Sequence, residues 1–383
     1  MPWPWMHILT EEGLEQVKQS KYQAPHVTFM ERRLNPWWER AVQMLPMWLA
    51  PNLISLLGFI PLPVLYIAIW YQNPSFDEAA PRWLSFAAAV VVFWHQTLDN
   101  MDGKQARRTG SSSPMGCIID HYCDILGFLP QIAVWAMLCA PGGYIQLVHV
   151  VGQISYFAAV LAMYHTGVCP VGAGDFGIVE MQTITYFGLL LSGCVGPDTW
   201  QMWMTTEVSL PKLPAWASVK LGTLIIFAST LGWIGCIAEM LSDVVAHVRS
   251  KEKSVLLILE DMLSLIFMCV ASFLWEPALA ESNPWAVSLL SGLSMAQITL
   301  QMLLCSIAKM KYVKLQPCVL PFVVLVIGSW CMPLQWTKNA VLVYTAALGG
   351  WLLLWLLSVI HQLKDKLEIY VFSLARKNTQ SSD

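Results

Sequence analysis

Residues 99–124, DNMDGKQARRTGSSSPMGCIIDHYCD, place Asp99, Asp102, Asp120 and Asp124 in a chain whose composition is otherwise that of a membrane protein. A carboxylate at membrane depth is energetically costly, so it indicates a functional site more strongly than a packing role. At about 3.6 residues per turn, each of two predicted helices presents a pair of these carboxylates on one face. The stretch therefore predicts neighbouring helices that bring four carboxylates together.

Small residues accompany the carboxylates on both predicted helices. Gly103 and Ala106 follow the first pair, and Gly116 and Gly127 lie on the stripe of the second pair. Residues of this size let helix backbones approach closely in lipid. We therefore expect the carboxylates to converge where the helices meet.

Four converging carboxylates repel one another unless cations lie between them, and their oxygens suit Mg²⁺ or Mn²⁺. The sequence thus predicts that Asp99, Asp102, Asp120 and Asp124 hold two such ions, an arrangement that stabilises the attacking and leaving oxygens of a phosphoryl transfer. Arg107 lies two turns beyond Asp99, about 12 Å along the helix axis, where it is positioned for the far end of a diphosphate.

The spacing of these residues resembles the complete motif of the CDP-alcohol phosphatidyltransferase family. The matching positions are Asp99, Asp102-Gly103, Ala106-Arg107, Gly116, Asp120 and Asp124. Within the motif, DGKQARRTGSSSPMG followed by DHYCD is more similar to the eukaryotic choline/ethanolamine phosphotransferases than to the bacterial CDP-diacylglycerol enzymes. The similarity extends upstream to WLAPNLISLLG at residues 48–58.

The resemblance implies an enzyme that transfers phosphocholine or phosphoethanolamine from CDP-choline or CDP-ethanolamine to diacylglycerol, which yields the phospholipid and CMP. It also implies that Gly103, Ala106, Arg107 and Gly116 contact the substrate. A homodimer is one possible assembly, and the membrane of the endoplasmic reticulum or Golgi is the expected location.

His121 is the predicted general base. It follows Asp120 directly, and an imidazole is well suited to take a proton from an alcohol. The resemblance supports the same role. Asp124 remains the alternative base, because a carboxylate beside the metal can also accept the proton.

Three further residues are predicted to bind substrate on the strength of the resemblance. It places Asn52 near the nucleotide, although an asparagine there is also a good helix cap. It places Glu180 and Gln182 beside the alcohol pocket, although the glycine-rich segment 166–182 also fits a flexible loop.

Composition agrees with an all-α, polytopic membrane protein. Hydrophobic residues make up 56% of the chain and charged residues 12%, whereas soluble domains carry about 25% charged residues. Ten spans of roughly 20 residues are predicted. Their approximate bounds are 52–71, 83–103, 115–139, 145–166, 181–197, 217–246, 254–275, 284–307, 317–332 and 339–362.

The sequence predicts a division of the chain into three segments and an orientation in the membrane. Residues 1–47 form a cytoplasmic segment with an interfacial amphipathic helix at 34–47, residues 48–370 form the transmembrane domain, and residues 371–383 form a flexible cytoplasmic tail. Lysine and arginine are concentrated in one alternate set of predicted connections, near 104–108, 249–253, 309–314 and 364–377. By the positive-inside rule, these connections and the predicted active site face the cytoplasm.

Two other functions share some of these features. A transferase that uses CDP-diacylglycerol and inositol or glycerol phosphate has the same motif, but it needs a basic pocket for an anionic acceptor, and no additional intramembrane arginine near the motif supplies one. An ion-coupled transporter explains the carboxylates but not the glycines and Arg107 at fixed spacing. The ten cysteines form no CxxC pair, which argues against zinc and disulfide frameworks, and nothing indicates nucleic-acid binding.

Overall fold

A computed structural model describes residues 8–19, 27–76, 78–139, 144–170, 172–209 and 218–374. These residues form helices and two short antiparallel hairpins, β1–β2 and β3–β4. The first helices are α1 (Glu11–Gln19), α2 (Phe29–Met44), α3 (Pro51–Phe59), α4 (Pro61–Gln72), α5 (Arg82–Arg108), α6 (Pro114–Cys139), α7 (Ile145–Thr166), α8 (Ile178–Val195) and α9 (Pro197–Thr205). The remaining helices are α10 (Leu221–Ser250), α11 (Leu256–Asp261), α12 (Leu263–Ser272), α13 (Pro277–Ser282), α14 (Pro284–Ile307), α15 (Val319–Ser329) and α16 (Leu334–Leu367). The strands are β1 (Gly172–Ala173), β2 (Phe176–Gly177), β3 (Glu207–Ser209) and β4 (Ser218–Lys220).

The all-α membrane architecture predicted from the sequence is confirmed. Among the described residues, seven helical segments are long and apolar enough to cross a membrane, with α3 and α4 together forming the first of them. The predicted span at 83–103 coincides with α5, which carries polar residues through its second half and is not among the seven. The spans predicted at 254–275 and 317–332 coincide with shorter helices.

Burial separates inner helices from outer ones. The apolar windows of α6, α7 and α14 are 78%, 67% and 83% buried, whereas those of α10 and α16 are only 17% and 28% buried. The outer helices therefore direct most of their apolar side chains away from the protein, as a lipid-facing helix does. The helix that carries Asp120 and Asp124 lies in the interior of the bundle.

Several local features differ from the predictions. Helix α2, which overlaps the predicted interfacial helix, begins at Phe29 and not at residue 34, because the N–H of Thr28 donates to Glu31 Oε2 at 3.3 Å and so stabilises an earlier start. It ends at Met44, ahead of Pro46. The predicted span 254–275 is divided at Met262 into α11 and α12. The two hairpins and helices α1, α9 and α13 were not predicted.

Helix α2 is attached to α5 by side chains that follow the first aspartates. Lys104 Nζ lies 2.6 Å from Asn35 Oδ1 and 3.0 Å from Glu39 Oε1. Arg108 donates to the carbonyls of Val42 and Leu45 at 3.0 and 2.7 Å. These contacts fix α2 beside the acidic end of α5.

Candidate active site

Three of the four predicted metal ligands come together. Asp99 of α5 and Asp120 and Asp124 of α6 each offer a carboxylate oxygen, and these oxygens all lie within 4.8 Å of one another. All three residues are partly buried. Carboxylates from the two helices therefore converge as predicted, in the case of these three aspartates.

Asp102 lies outside the trio and has a partner of its own. Its Oδ2 atom accepts a hydrogen bond of 2.5 Å from the hydroxyl of Ser55 in α3, and both residues are buried. The hydrogen bond fixes the direction of the Asp102 carboxylate. Ser55 was missed by the sequence analysis, although it lies three residues after Asn52 in the upstream segment that resembles the family.

The small residues bring α6 against α3 and α4 as well as against α5. A Cβ atom added to Gly116 would lie 3.3 Å from Asn52 Oδ1. A Cβ atom added to Gly127 would lie 3.0 Å from Leu62 Cδ1 in α4 and 3.8 Å from His95 Cε1 in α5. The first span, α3 and α4, therefore packs directly behind the acidic residues. The sequence analysis expected only the contact between α5 and α6.

A cavity of about 520 Å³ lies on one side of the acidic residues. We call it the Arg107 cavity; besides Arg107 it is lined by Ser111, Ser112 and Ser113 and by the beginning of α6. The predicted substrate residues Asn52, Gly103, Ala106, Arg107 and Gly116 all line it, together with Asp102, Asp120 and His121. Its cation, hydroxyls and helix N-terminus suit an anionic ligand.

Arg107 differs from the basic residues beside it. Lys104 and Arg108 contact α2, whereas Arg107 lines the cavity. Gly103 lies under the Arg107 side chain, because a Cβ atom added there would be 3.6 Å from the nearest guanidinium nitrogen. Of the three cationic residues in the segment 104–108, only Arg107 therefore lines the cavity.

A second cavity, of about 270 Å³, lies on the other side of Asp120 and His121. We call it the Tyr156 cavity; it is also lined by Asp99, Asp124, Phe128, Trp233 and Glu31. No lysine or arginine among the described residues lines it. Asp120 and His121 line both cavities, so they form the boundary between them.

His121 is held in a defined orientation at this boundary. Its Nδ1 atom lies 3.0 Å from the carbonyl oxygen of Cys117, one turn earlier on α6, and 3.5 Å from Asp120 Oδ2. Because a carbonyl oxygen only accepts hydrogen bonds, Nδ1 carries the proton and the lone pair of the neutral ring is at Nε2. In this tautomer, Nε2 is the ring atom that can accept a proton.

Gln182 and Glu180 occupy different positions. Gln182 is buried, lines the Tyr156 cavity and donates to Gln131 Oε1 at 2.8 Å. Glu180 accepts hydrogen bonds from the backbone N–H groups of Met30 and Gly177, at 2.7 and 2.8 Å. It therefore joins the beginnings of α2 and α8, and its predicted contact with substrate stays a prediction.

Asn52 connects the Arg107 cavity to the end of the chain. Its Nδ2 atom donates to the carbonyl oxygen of Val371 at 2.7 Å. Val371 is the first residue of the segment predicted as a flexible tail, so that segment begins with an anchored residue. Residues 375–383 of the predicted tail lie outside the described residues.

The acidic residues fit divalent cations. Three carboxylate oxygens within one small volume repel one another unless positive charge lies between them, and hard oxygen ligands match Mg²⁺ and Mn²⁺. Asp102, held by Ser55, provides a fourth carboxylate beside Asp120 in the Arg107 cavity. The set is well suited to oxygen-binding metals and lacks the thiolate and imidazole ligands typical of structural zinc.

Comparison with known proteins gives matches over the motif and beyond it. Residues 48–210 match the CDP-alcohol phosphatidyltransferase family. The chain is 27% identical to choline/ethanolaminephosphotransferase 2 of Arabidopsis thaliana, over 97% of this chain and 100% of that protein. It is also 27% identical to uncharacterized CDP-alcohol phosphatidyltransferase class-I family protein 3 of Dictyostelium discoideum, over 97% and 99%. Cholinephosphotransferase 1 of Homo sapiens is 32% identical over 55% of this chain and 53% of its own length.

Proposed function

We propose that this protein, which carries a CDP-alcohol phosphatidyltransferase domain at residues 48–210, transfers phosphocholine or phosphoethanolamine from the CDP-amino alcohol to diacylglycerol. The observation that carries the proposal is the meeting of two cavities at Asp120 and His121, one with a cation and hydroxyls and the other with carboxylates and aromatic rings. A CDP-amino alcohol has matching ends, because its diphosphate is anionic and its amino alcohol is cationic.

The nucleotide and its diphosphate are assigned to the Arg107 cavity. The Arg107 guanidinium binds phosphate oxygens, and it suits them better than an ammonium group does because its donors form a planar fork. The serine hydroxyls at 111–113 add neutral donors. Gly103, Ala106 and Gly116 leave room for the ligand at the cavity wall.

In the reaction, the free hydroxyl of diacylglycerol attacks the phosphorus atom nearest the amino alcohol. A new bond forms between the hydroxyl oxygen and this phosphorus, and the bond from phosphorus to the oxygen of CMP breaks. His121 takes the hydroxyl proton at Nε2, since Nδ1 donates to the Cys117 carbonyl. Asp124 is the alternative acceptor of the proton, and its Oδ2 atom receives a 3.3 Å hydrogen bond from the Tyr156 hydroxyl.

Asp99, Asp102, Asp120 and Asp124 are assigned as ligands of two Mg²⁺ or Mn²⁺ ions. Such ions, when bound, neutralise the charge of the diphosphate and of the departing CMP. The carboxylates themselves hold fixed positions, since Ser55 orients Asp102 and Tyr156 orients Asp124.

The proposed location is the endoplasmic reticulum or Golgi membrane, with the site open to the cytoplasm. The lysine and arginine residues near 104–108 and 249–253 support this orientation, because positive charge favours the cytoplasmic side. A cytoplasmic Arg107 cavity receives the soluble nucleotide directly. Diacylglycerol, which is dissolved in the bilayer, enters from the side.

The test is an assay of purified protein with diacylglycerol and labelled CDP-choline or CDP-ethanolamine, with CMP and lipid both measured. We expect equal amounts of CMP and labelled phospholipid from at least one donor. A parallel assay pairs CDP-diacylglycerol with inositol or glycerol phosphate. Product only in the parallel assay would overturn the proposal. We expect none from glycerol phosphate in particular, because this anionic acceptor finds no lysine or arginine among the described residues of the Tyr156 cavity.

A further inference from the structure

Three aromatic side chains from three helices line the Tyr156 cavity. Phe128 belongs to α6, Tyr156 to α7 and Trp233 to α10. The centroid of the Phe128 ring lies 5.9 Å from that of Tyr156 and 6.3 Å from that of Trp233, and the ring planes are tilted by 58° and 51°. All three side chains are partly exposed. They form an aromatic wall with Phe128 in the middle.

The aromatic wall begins at the acidic residues. The Tyr156 hydroxyl donates to Asp124 Oδ2 at 3.3 Å, and Phe128 follows Asp124 by one helical turn on the same face of α6. In either CDP-amino alcohol, only two carbon atoms separate the phosphate oxygen from the nitrogen. A phosphate held at the acidic residues therefore places the nitrogen close to the aromatic wall.

The charge of the cavity selects a cation. Apart from the aspartates assigned to metal ions, Glu31 lines it, and its described lining contains no lysine or arginine. Aromatic faces attract a cation through their quadrupoles, most strongly where water is excluded. The cavity thus offers the ammonium aromatic faces and one remaining carboxylate, and no cationic side chain in its described lining repels it.

We propose that Phe128, Tyr156 and Trp233 bind the ammonium group of the donor and make CDP-choline the preferred substrate over CDP-ethanolamine. The inference rests on the proposed function and names the head group that the proposed function leaves open. A trimethylammonium group has no N–H donors to satisfy, so aromatic faces suit it fully. A primary ammonium has three donors and loses their hydrogen bonds with water against such a wall.

Three nearby acceptor oxygens each already receive a hydrogen bond. Gln131 Oε1 accepts from Gln182, and Asp124 Oδ2 accepts from Tyr156. Glu31 Oε2 accepts from the N–H of Thr28. These three oxygens hold the surrounding structure together, so each has less capacity left for the N–H donors of a primary amine.

The test compares kcat/KM for the two donors in the full-length protein and in Trp233→Leu. We expect the unaltered protein to prefer CDP-choline. In Trp233→Leu, kcat/KM for CDP-choline should fall by about tenfold, within the range for a desolvated cation–π contact, and kcat/KM for CDP-ethanolamine by less than about twofold. Trp233→Phe should restore most of the preference, because it returns an aromatic face.

Trp351→Leu is the matched control, since Trp351 is an exposed tryptophan of α16 that lines neither cavity. It should change neither donor's kcat/KM. A preference for CDP-ethanolamine in the unaltered protein would overturn the inference, and so would an equal loss for both donors in Trp233→Leu. Either result leaves the proposed function intact. That function fails only if neither donor yields phospholipid.

Discussion

The Arg107 cavity and the Tyr156 cavity share Asp120 and His121 but have opposite chemistry. The first combines a guanidinium and four serine hydroxyls with two aspartates, and the second combines four carboxylates with three aromatic rings. A substrate with an anionic middle and a cationic end therefore has one favourable orientation across the boundary. The difference indicates that charge, more than shape, determines which end of the substrate lies on which side.

The largest effect is expected where the two cavities meet. Asp99→Asn, Asp120→Asn and Asp124→Asn should each lower the rate of CMP release by about 10³-fold or more, because each removes a charge from a site whose catalysis is mostly electrostatic. Chelation of Mg²⁺ and Mn²⁺ should stop turnover completely. The measurement is CMP and phospholipid formation at saturating substrate.

Asp243→Asn is the matched control, since Asp243 is exposed on α10 and lines neither cavity. It should retain the full rate. Near-normal turnover in two of the three acidic variants, or activity that survives chelation, would rule out a metal site at this boundary.

His121→Gln should lower kcat by about 10²-fold, the usual scale for removing a general base, and leave the KM for the CDP-amino alcohol nearly unchanged. The amide keeps a group of similar size at the boundary but does not take up a proton. Steady-state kinetics in both substrates separate the two parameters. A variant that keeps most of its kcat would transfer the role of base to Asp124.

Arg107→Lys tests the Arg107 cavity alone. The KM for the CDP-amino alcohol should rise by about tenfold, because an ammonium does not reproduce the two parallel hydrogen bonds of a guanidinium to phosphate. Arg249→Lys, an exposed arginine at the end of α10, is the control and should leave KM unchanged. If both variants raise KM equally, the effect is not specific to the cavity and the cavity assignment is wrong.

The two cavities also differ in how far the sequence predicted them. Most residues of the Arg107 cavity fall in two short stretches, 51–55 and 102–121, and helical periodicity relates positions within each stretch. Asn52, Gly103, Ala106, Arg107 and Gly116 were all predicted, and all of them line this cavity. The membrane fold was predictable for a related reason, since hydropathy is a local property of the chain.

The Tyr156 cavity was not predictable in the same way. Phe128, Tyr156 and Trp233 lie on three helices, and their proximity depends on how α6, α7 and α10 pack. In a chain with 19 tryptophans, periodicity and interfacial preference do not single out Trp233. Glu180 was selected by the sequence although the structure shows a different role. A carboxylate in a glycine-rich segment suggests a ligand contact, but its oxygens accept hydrogen bonds from two backbone N–H groups.

The smallest expected effect concerns Ser55, which acts on Asp102 and lines only the Arg107 cavity. Ser55→Ala removes a buried hydrogen bond that orients the carboxylate, a contact to a charged group of about 1.5 kcal/mol. We expect the Mg²⁺ concentration for half-maximal activity to rise by about tenfold, with kcat recovered at high Mg²⁺. Ser55→Thr keeps the hydroxyl and should behave like the unaltered protein. Ser85→Ala, at a buried serine near the opposite end of α5, is the control for lost packing and should leave the Mg²⁺ dependence unchanged. A different result would be a lower kcat at all Mg²⁺ concentrations with an unaltered half-maximal concentration. Asp102 would then act on the substrate in the Arg107 cavity directly and not through the metal.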